Sequence, residues 1–208
     1  MPLEARKQAL ARALQDPEEL VRAAASMALD RVEGLAMMGE INEAARKGAK
    51  PHRIRAIHFL GRLNTPESLD ILLSLLHDPH FDIRVATIKA LQNTLPEKAL
   101  MPLVACLNDP EPSVLQGTLE TLSRYRDRKV TEYILPHLLN GDPETACSAA
   151  EALGRNGDPR AEPYLAKSLE SSSDPFLRAK AAEAIGNLRP SAPHEEALQD
   201  RRDDASER

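Results

Sequence analysis

What the chain lacks narrows its class before any motif is read. Val/Ile/Thr-rich segments with period-two alternation are missing, which excludes an all-β fold. No apolar run reaches the 18 or more residues that a bilayer-spanning helix needs. The N-terminus, MPLEARKQALARALQD, carries Glu4, Arg6 and Lys7 in place of an apolar core, so it is not a secretory signal. Two cysteines, Cys106 and Cys147, make no disulfide framework and fit a reducing compartment, so the expected location is cytoplasmic. Tryptophan is absent, and only three Tyr and three Phe stand among 208 residues. There is no basic excess: the net charge is −5, which argues against a dedicated duplex-DNA binder. No G-x-x-x-x-G-K-[ST], G-x-G-x-x-G or G-x-S-x-G occurs, so no phosphate loop or nucleophile elbow is present.

What is there is a repeat. Leu29, Leu60, Leu91, Leu122, Leu153 and Ile185 recur at steps of 31, 31, 31, 31 and 32. A second column, Leu14, Ala45, Leu76, Leu107, Leu138 and Leu169, runs in parallel, and a third, Leu10, Ile41, Leu72, Leu103, Ile134 and Leu165, precedes it by four. Periods of this length signal stacked supersecondary units. Each unit reads as two short amphipathic helices, the first exemplified by Leu69, Leu72, Leu73 and Leu76, the second by Ile83, Thr87, Ala90 and Leu91. Between them lies a turn that usually contains Asp-Pro: Asp16-Pro17, Asp78-Pro79, Asp109-Pro110, Asp142-Pro143 and Asp174-Pro175. Asp suits the cap of the following helix and Pro its first turn. Four residues and one residue before the Leu/Ile column stand mostly Ala and Thr, which lets neighbouring second helices approach closely. A lone unit is too small to hold itself folded, so stacking is obligatory.

This pattern resembles HEAT repeats, and the short period is similar to the bilin-lyase (E-Z) type of HEAT-like repeat. The copies DPEELVRAAASMALD, DPHFDIRVATIKALQ and DPFLRAKAAEAIGNL carry the resemblance. It implies an all-α, right-handed α-solenoid of six helical hairpins over residues 1–188. The units are expected at about 2–32, 33–63, 64–94, 95–125, 126–157 and 158–188, with a disordered polar tail at 189–208. It also implies that the turn Asp and the Arg six residues later make a hydrogen-bonded ladder between repeats, a spacing matched by Asp16/Arg22 and Asp78/Arg84. That ladder is expected to break where Leu115 and Ala146 take the Arg column and where Arg178 stands four residues from Asp174.

The resemblance further implies that second helices line a concave face. Their outer columns are then the expected partner-binding residues: Ile54, His58, Val85, Lys89, Gln116, Glu120, Cys147 and Glu151. The column holding Ile54, Val85 and Cys147 is apolar for a surface. The column holding His58, Lys89, Glu120 and Glu151 passes from neutral or basic to acidic. Such a groove suits a polypeptide, because burial gives affinity and charge fixes register. A second feature is a basic island between Ala44 and Pro66: Arg46, Lys47, Lys50, Arg53, Arg55 and Arg62, with no Asp or Glu among them. Cys147 has no evident base partner to make it a nucleophile. His77 and His80 flank a turn without further ligands, so no metal is expected.

The expected function is accordingly a non-enzymatic scaffold or adaptor that binds another protein, with no catalytic residues, no cofactor, no membrane contact and no nucleic acid. One alternative is a bilin-lyase-like subunit handling a tetrapyrrole chromophore. A second is anion or RNA binding through the basic island 46–62.

Overall fold

The computed structural model describes residues 3–190. The expected tail, apart from Arg189 and Pro190, lies outside the described residues. Every regular element among them is helical, and the fold is an all-α solenoid of HEAT-like hairpins. The helices are α1 (Leu3–Ala13), α2 (Glu19–Ala36), α3 (Met38–Lys47), α4 (Lys50–Leu63), α5 (Pro66–Leu75) and α6 (Phe81–Gln92). They continue as α7 (Leu100–Ala105), α8 (Pro112–Leu122), α9 (Lys129–Asn140), α10 (Pro143–Asn156), α11 (Glu162–Ser171) and α12 (Pro175–Asn187). The described residues divide into two compact units, one running up to Pro102 and the other from Leu103 onward. No helix among the described residues is long and apolar enough to cross a membrane.

Local chemistry sets where the helices begin. Thr65 and Ser68 cap α5 reciprocally: the Thr65 hydroxyl accepts from the Ser68 amide at 3.2 Å, and the Ser68 hydroxyl accepts from the Thr65 amide at 2.9 Å. Asp142 and Asp174 cap α10 and α12 directly, with Pro next in the first turn. Asp16, Asp78 and Asp109 behave differently. Each accepts at 3.0 Å from the amide two residues on, in an Asx turn, and the helix starts later. Spacing explains the difference. These three stand thirteen residues before their Leu/Ile column residue, whereas Asp142 and Asp174 stand eleven before theirs. The extra two residues become turn. The expected boundary at 32/33 falls inside α2, which runs on to Ala36 because neither Pro nor a left-handed residue stops it at 30–36.

In the first unit the core is Ile57, Leu60, Leu72, Leu76, Ile83, Ile88 and Leu91, all buried. The hairpin α1/α2 is thinly covered: Leu20 is 82% and Met27 64% exposed. In the second unit Leu103, Leu119, Leu122, Ile134, Leu153 and Leu165 are fully buried. The small-residue columns act as expected. A Cβ on Gly61 of α4 would lie 2.9 Å from the Ala90 Cβ of α6. One on Gly154 of α10 would lie 2.5 Å from the Ala184 Cα of α12. Within each unit, second helices therefore touch backbone to backbone.

The structure separates two roles for the Arg column of the implied ladder. Each Arg donates to backbone carbonyls of its own turn: Arg22 to Asp16 and Pro17 at 2.7 Å, Arg84 to Asp78 at 2.8 Å, Arg178 to Ser172 at 2.9 Å. The acceptor is a carbonyl, so Arg178 needs no Asp six residues earlier and keeps the bond. The contact between hairpins runs the other way along the chain. Arg53 of α4, one period after Arg22, reaches forward to Asp78 in the following hairpin and makes a rung between repeats.

Candidate functional site

The outer columns of the second helices are distributed over both units. In the first, α4 carries Ile54 and His58, and α6 carries Val85 and Lys89; Ile54 and Val85 are half-buried, His58 and Lys89 exposed. In the second, α8 carries Gln116 and Glu120, and α10 carries Cys147 and Glu151. Gln116, Glu120 and Glu151 line one cleft of about 220 Å³ between α8 and α10, together with Ser148 and Arg155. A neighbouring cleft of about 450 Å³ between α10 and α12 is lined by Glu151, Arg155, Lys180 and Glu183.

The acidic column does not stand alone. Arg155 lies 2.9 Å from Glu151 and 3.9 Å from Glu120, and Lys180 lies 3.7 Å from Glu151 and 3.1 Å from Glu183. The five side chains form an alternating chain of charge across α8, α10 and α12. The hydrogen bond to Glu183, and then its charge and that of Glu151, raise the Lys180 ammonium above its ordinary value. Exposed pairs of this kind add little stability individually, but two cations against three carboxylates offset most of the acidic potential that the column shows when read alone. Cys147 is half-buried. Desolvation and then the Asp174 charge push its thiol up, against an opposing pull from Lys180, so it stays protonated at neutral pH.

The basic island is also compensated in space. Arg53 is 7% exposed; its guanidinium pairs with the Asp78 carboxylate, and its Nε donates to the Ala45 carbonyl at 2.7 Å. Lys50 pairs with Asp82, and Lys47 lies 3.3 Å from Glu43. Arg46 donates to Asn42 at 2.9 Å and to Ser74 at 2.7 Å. Arg62 stacks over the Phe59 ring, 5.6 Å from its centre. Arg55 is exposed and has no such partner among the described residues. Among those residues no group of three or more His, Cys, Asp or Glu converges as a metal site would require.

A more concentrated basic run was not singled out in the sequence. Arg124-Tyr125-Arg126-Asp127-Arg128-Lys129 connects α8 to α9. The fold brings Asn156–Pro159 and Arg189 beside it, and together they line a notch of about 170 Å³. Its floor is pinned. The Asn156 amide donates to the Tyr125 carbonyl at 2.9 Å, and the Thr131 hydroxyl donates to Asp158 at 2.9 Å. Gly157 takes the left-handed conformation at φ 73°, and the Arg189 side chain crosses it. Arg160 binds both Asp158 oxygens, lies 3.1 Å from Glu132, and donates to the Arg128 carbonyl. Burial works to raise the Asp158 carboxyl, but the hydrogen bonds from Arg160 and Thr131 outweigh it and hold it below the usual carboxylate range. Burial pushes the Tyr125 hydroxyl up to about 12.

Comparison with known proteins gives this geometry a context. Residues 39–123, 72–145, 100–186 and 131–207 match the model of HEAT repeats. A curated relative, the bilin biosynthesis protein PecE of Mastigocladus laminosus, is 28% identical over 107 residues. That match covers 51% of this chain and 40% of the relative, so the chain spans about two-fifths of the relative's length. Among solved structures, the complex of CpcE and CpcF of phycocyanin lyase from Nostoc sp. PCC7120 is similar at TM-score 0.49 and 22% identity, covering 89% of this chain and 76% of that one. An engineered protein is similar at TM-score 0.49 and 16% identity, covering 88% and 96%. The likeness to PecE overturns the expectation of a generic scaffold, since that relative is named for bilin biosynthesis. Solenoid geometry alone had favoured the scaffold, because one fold serves many functions.

Proposed function

From the premise that the chain belongs to the HEAT-repeat family, matched from residue 39 to residue 207, we propose that it is a bilin-lyase-type subunit handling a tetrapyrrole chromophore. The observation that carries this reading is the 28% identity to PecE over 107 residues. The 31-residue period, shorter than that of most HEAT arrays, supports it independently, since that period resembles the bilin-lyase type of repeat.

In this reading the chain acts with another protein, which receives the pigment or shares in its transfer. Its own contribution is binding and orientation. Second helices in backbone contact make a stiff surface, so little ordering cost falls on this side when a ligand binds. Burial and then the Asp174 charge push the Cys147 thiol up, which disfavours the thiolate that a transient acceptor of the pigment would use. The thioether would form on a cysteine of the acceptor polypeptide.

The test is co-incubation with a linear tetrapyrrole and a cysteine-bearing acceptor protein, followed by denaturing gel electrophoresis and zinc-enhanced fluorescence. The expected result is a pigmented acceptor whose yield or rate depends on this chain. Equal pigmentation with and without it, in the presence of every candidate partner subunit, would sink the reading.

A further inference from the structure

The notch between the 126–128 segment and Gly157 is a site that neither the repeat nor the relatives assign. We propose that it binds a carboxylate arm of the ligand, a propionate of the tetrapyrrole. This rests on the function proposed above and adds a place and a chemistry to it.

Charge is the first ground. Arg126 and Arg189 both line the notch. Arg126 is exposed, and no acceptor among the described residues engages it. Arg189 gives one N–H to the Asn156 carbonyl at 2.9 Å, and its other donors remain over Gly157. The nearby acids are already engaged. One guanidinium, Arg160, bridges Asp158 and Glu132, and the Asp127 carboxylate accepts from the Lys129 amide at 2.9 Å. The lining sets three guanidiniums, Arg126, Arg128 and Arg189, against two carboxylates, Asp127 and Asp158, and the local field favours an incoming anion. Guanidinium forks match a planar carboxylate in bidentate geometry, which a point-charge ammonium does not.

Size and rigidity are the second ground. A whole drug-sized ligand needs a pocket of roughly 300–1,000 Å³. At about 170 Å³ the notch admits an arm and excludes a tetrapyrrole body. A linear tetrapyrrole carries two flexible propionates as its only full negative charges, so one arm can seat here while the conjugated system stays outside. The Arg189 amide bonds the Gly157 carbonyl at 3.0 Å, which fixes the base of the arginine relative to the floor. The site is thus pre-organised.

The experiment titrates biliverdin and biliverdin dimethyl ester, followed by absorbance, into the wild-type chain, Arg126→Glu, Arg189→Gln and the control Arg55→Glu. Far-UV circular dichroism confirms that each variant is folded. The expected result is about ten-fold weaker biliverdin binding in Arg126→Glu, a smaller loss in Arg189→Gln, and no change in Arg55→Glu. The ester should bind the wild type as weakly as biliverdin binds Arg126→Glu, and should be insensitive to the variants. Biliverdin binding that is equal in Arg126→Glu and Arg55→Glu, or ester binding as tight as that of the acid, overturns the notch while leaving the tetrapyrrole reading intact. Failure of the wild type to bind either compound overturns the notch, while the tetrapyrrole reading stands or falls on the pigmentation assay above.

Discussion

The buried pair Arg53–Asp78 gives the sharpest test of how the hairpins of the first unit hold together. Its side chains are 8% and 9% exposed, so solvent screens neither charge well. Replacing Arg53 with Met leaves the Asp78 carboxylate with the His80 amide, 3.0 Å away, as a donor but without its cation. It also orphans one bond to the carbonyl of Ala45, a fully buried residue. Removing one partner of a buried pair costs about 3–5 kcal/mol, because an uncompensated charge stays behind. Removing both is milder. Arg53→Met/Asp78→Asn keeps an acceptor for the Asx turn and leaves no net charge, so it should lie within about 2 kcal/mol of the wild type. The chain has no Trp, so urea unfolding is followed by helical circular dichroism. The pair joins successive hairpins, so the single variant should also loosen amide-exchange protection in α2–α4 before α5–α6. Arg55→Met, an exposed member of the same island, should change stability by no more than about 0.5 kcal/mol. A cost below about 1 kcal/mol for Arg53→Met, or a double variant as unstable as the single, would refute the assignment of Arg53 to the interface between hairpins.

Three further outcomes follow from single residues. Gly61, Gly154 and Gly186 occupy one repeat column, yet Ala should act oppositely along it in thermal unfolding. Gly154→Ala meets Ala184 and should destabilise by about 1–3 kcal/mol, whereas Gly186→Ala meets nothing within 4 Å and should gain about 0.5–1 kcal/mol from helix propensity. Leu95 sits at φ 46°, in the register where Asn64 and Gly157 are also left-handed; Leu95→Asn should relieve about 1 kcal/mol of strain, read as a higher urea midpoint. The Asp158 carboxyl is held below its ordinary range in the folded chain. Its contribution is present above the unfolded carboxylate pKa and is lost as pH falls through the folded one. Asp158→Asn should therefore flatten the loss of stability below about pH 4 relative to wild type, and an unchanged acid limb would remove that role.

The period was legible because packing enforces it. Leu60, Leu91, Leu122 and Leu153 must fill the same hole between hairpins, and Gly61 and Gly154 must stay small where backbones touch, so physical necessity repeats the letters. The outer columns carry no such constraint, and their chemistry depends on what stands one period away. Arg46–Arg62 looks acid-free along the chain, but Asp78 and Asp82 stand twenty-five and thirty-two residues after Arg53 and Lys50, and the stacking register delivers them as partners. A charge window taken along the sequence is thus the wrong measure in a solenoid; the sum should be taken over residues one period apart. Taken that way, Arg53 and Lys50 are neutralised by the hairpin that follows them. The 124–129 run behaves otherwise. One period on it meets Asp158, already bound by Arg160, and two periods on it meets Arg189. It remains basic after folding, which is why the notch at Gly157, and not the longer island, is the place where an anion would be held.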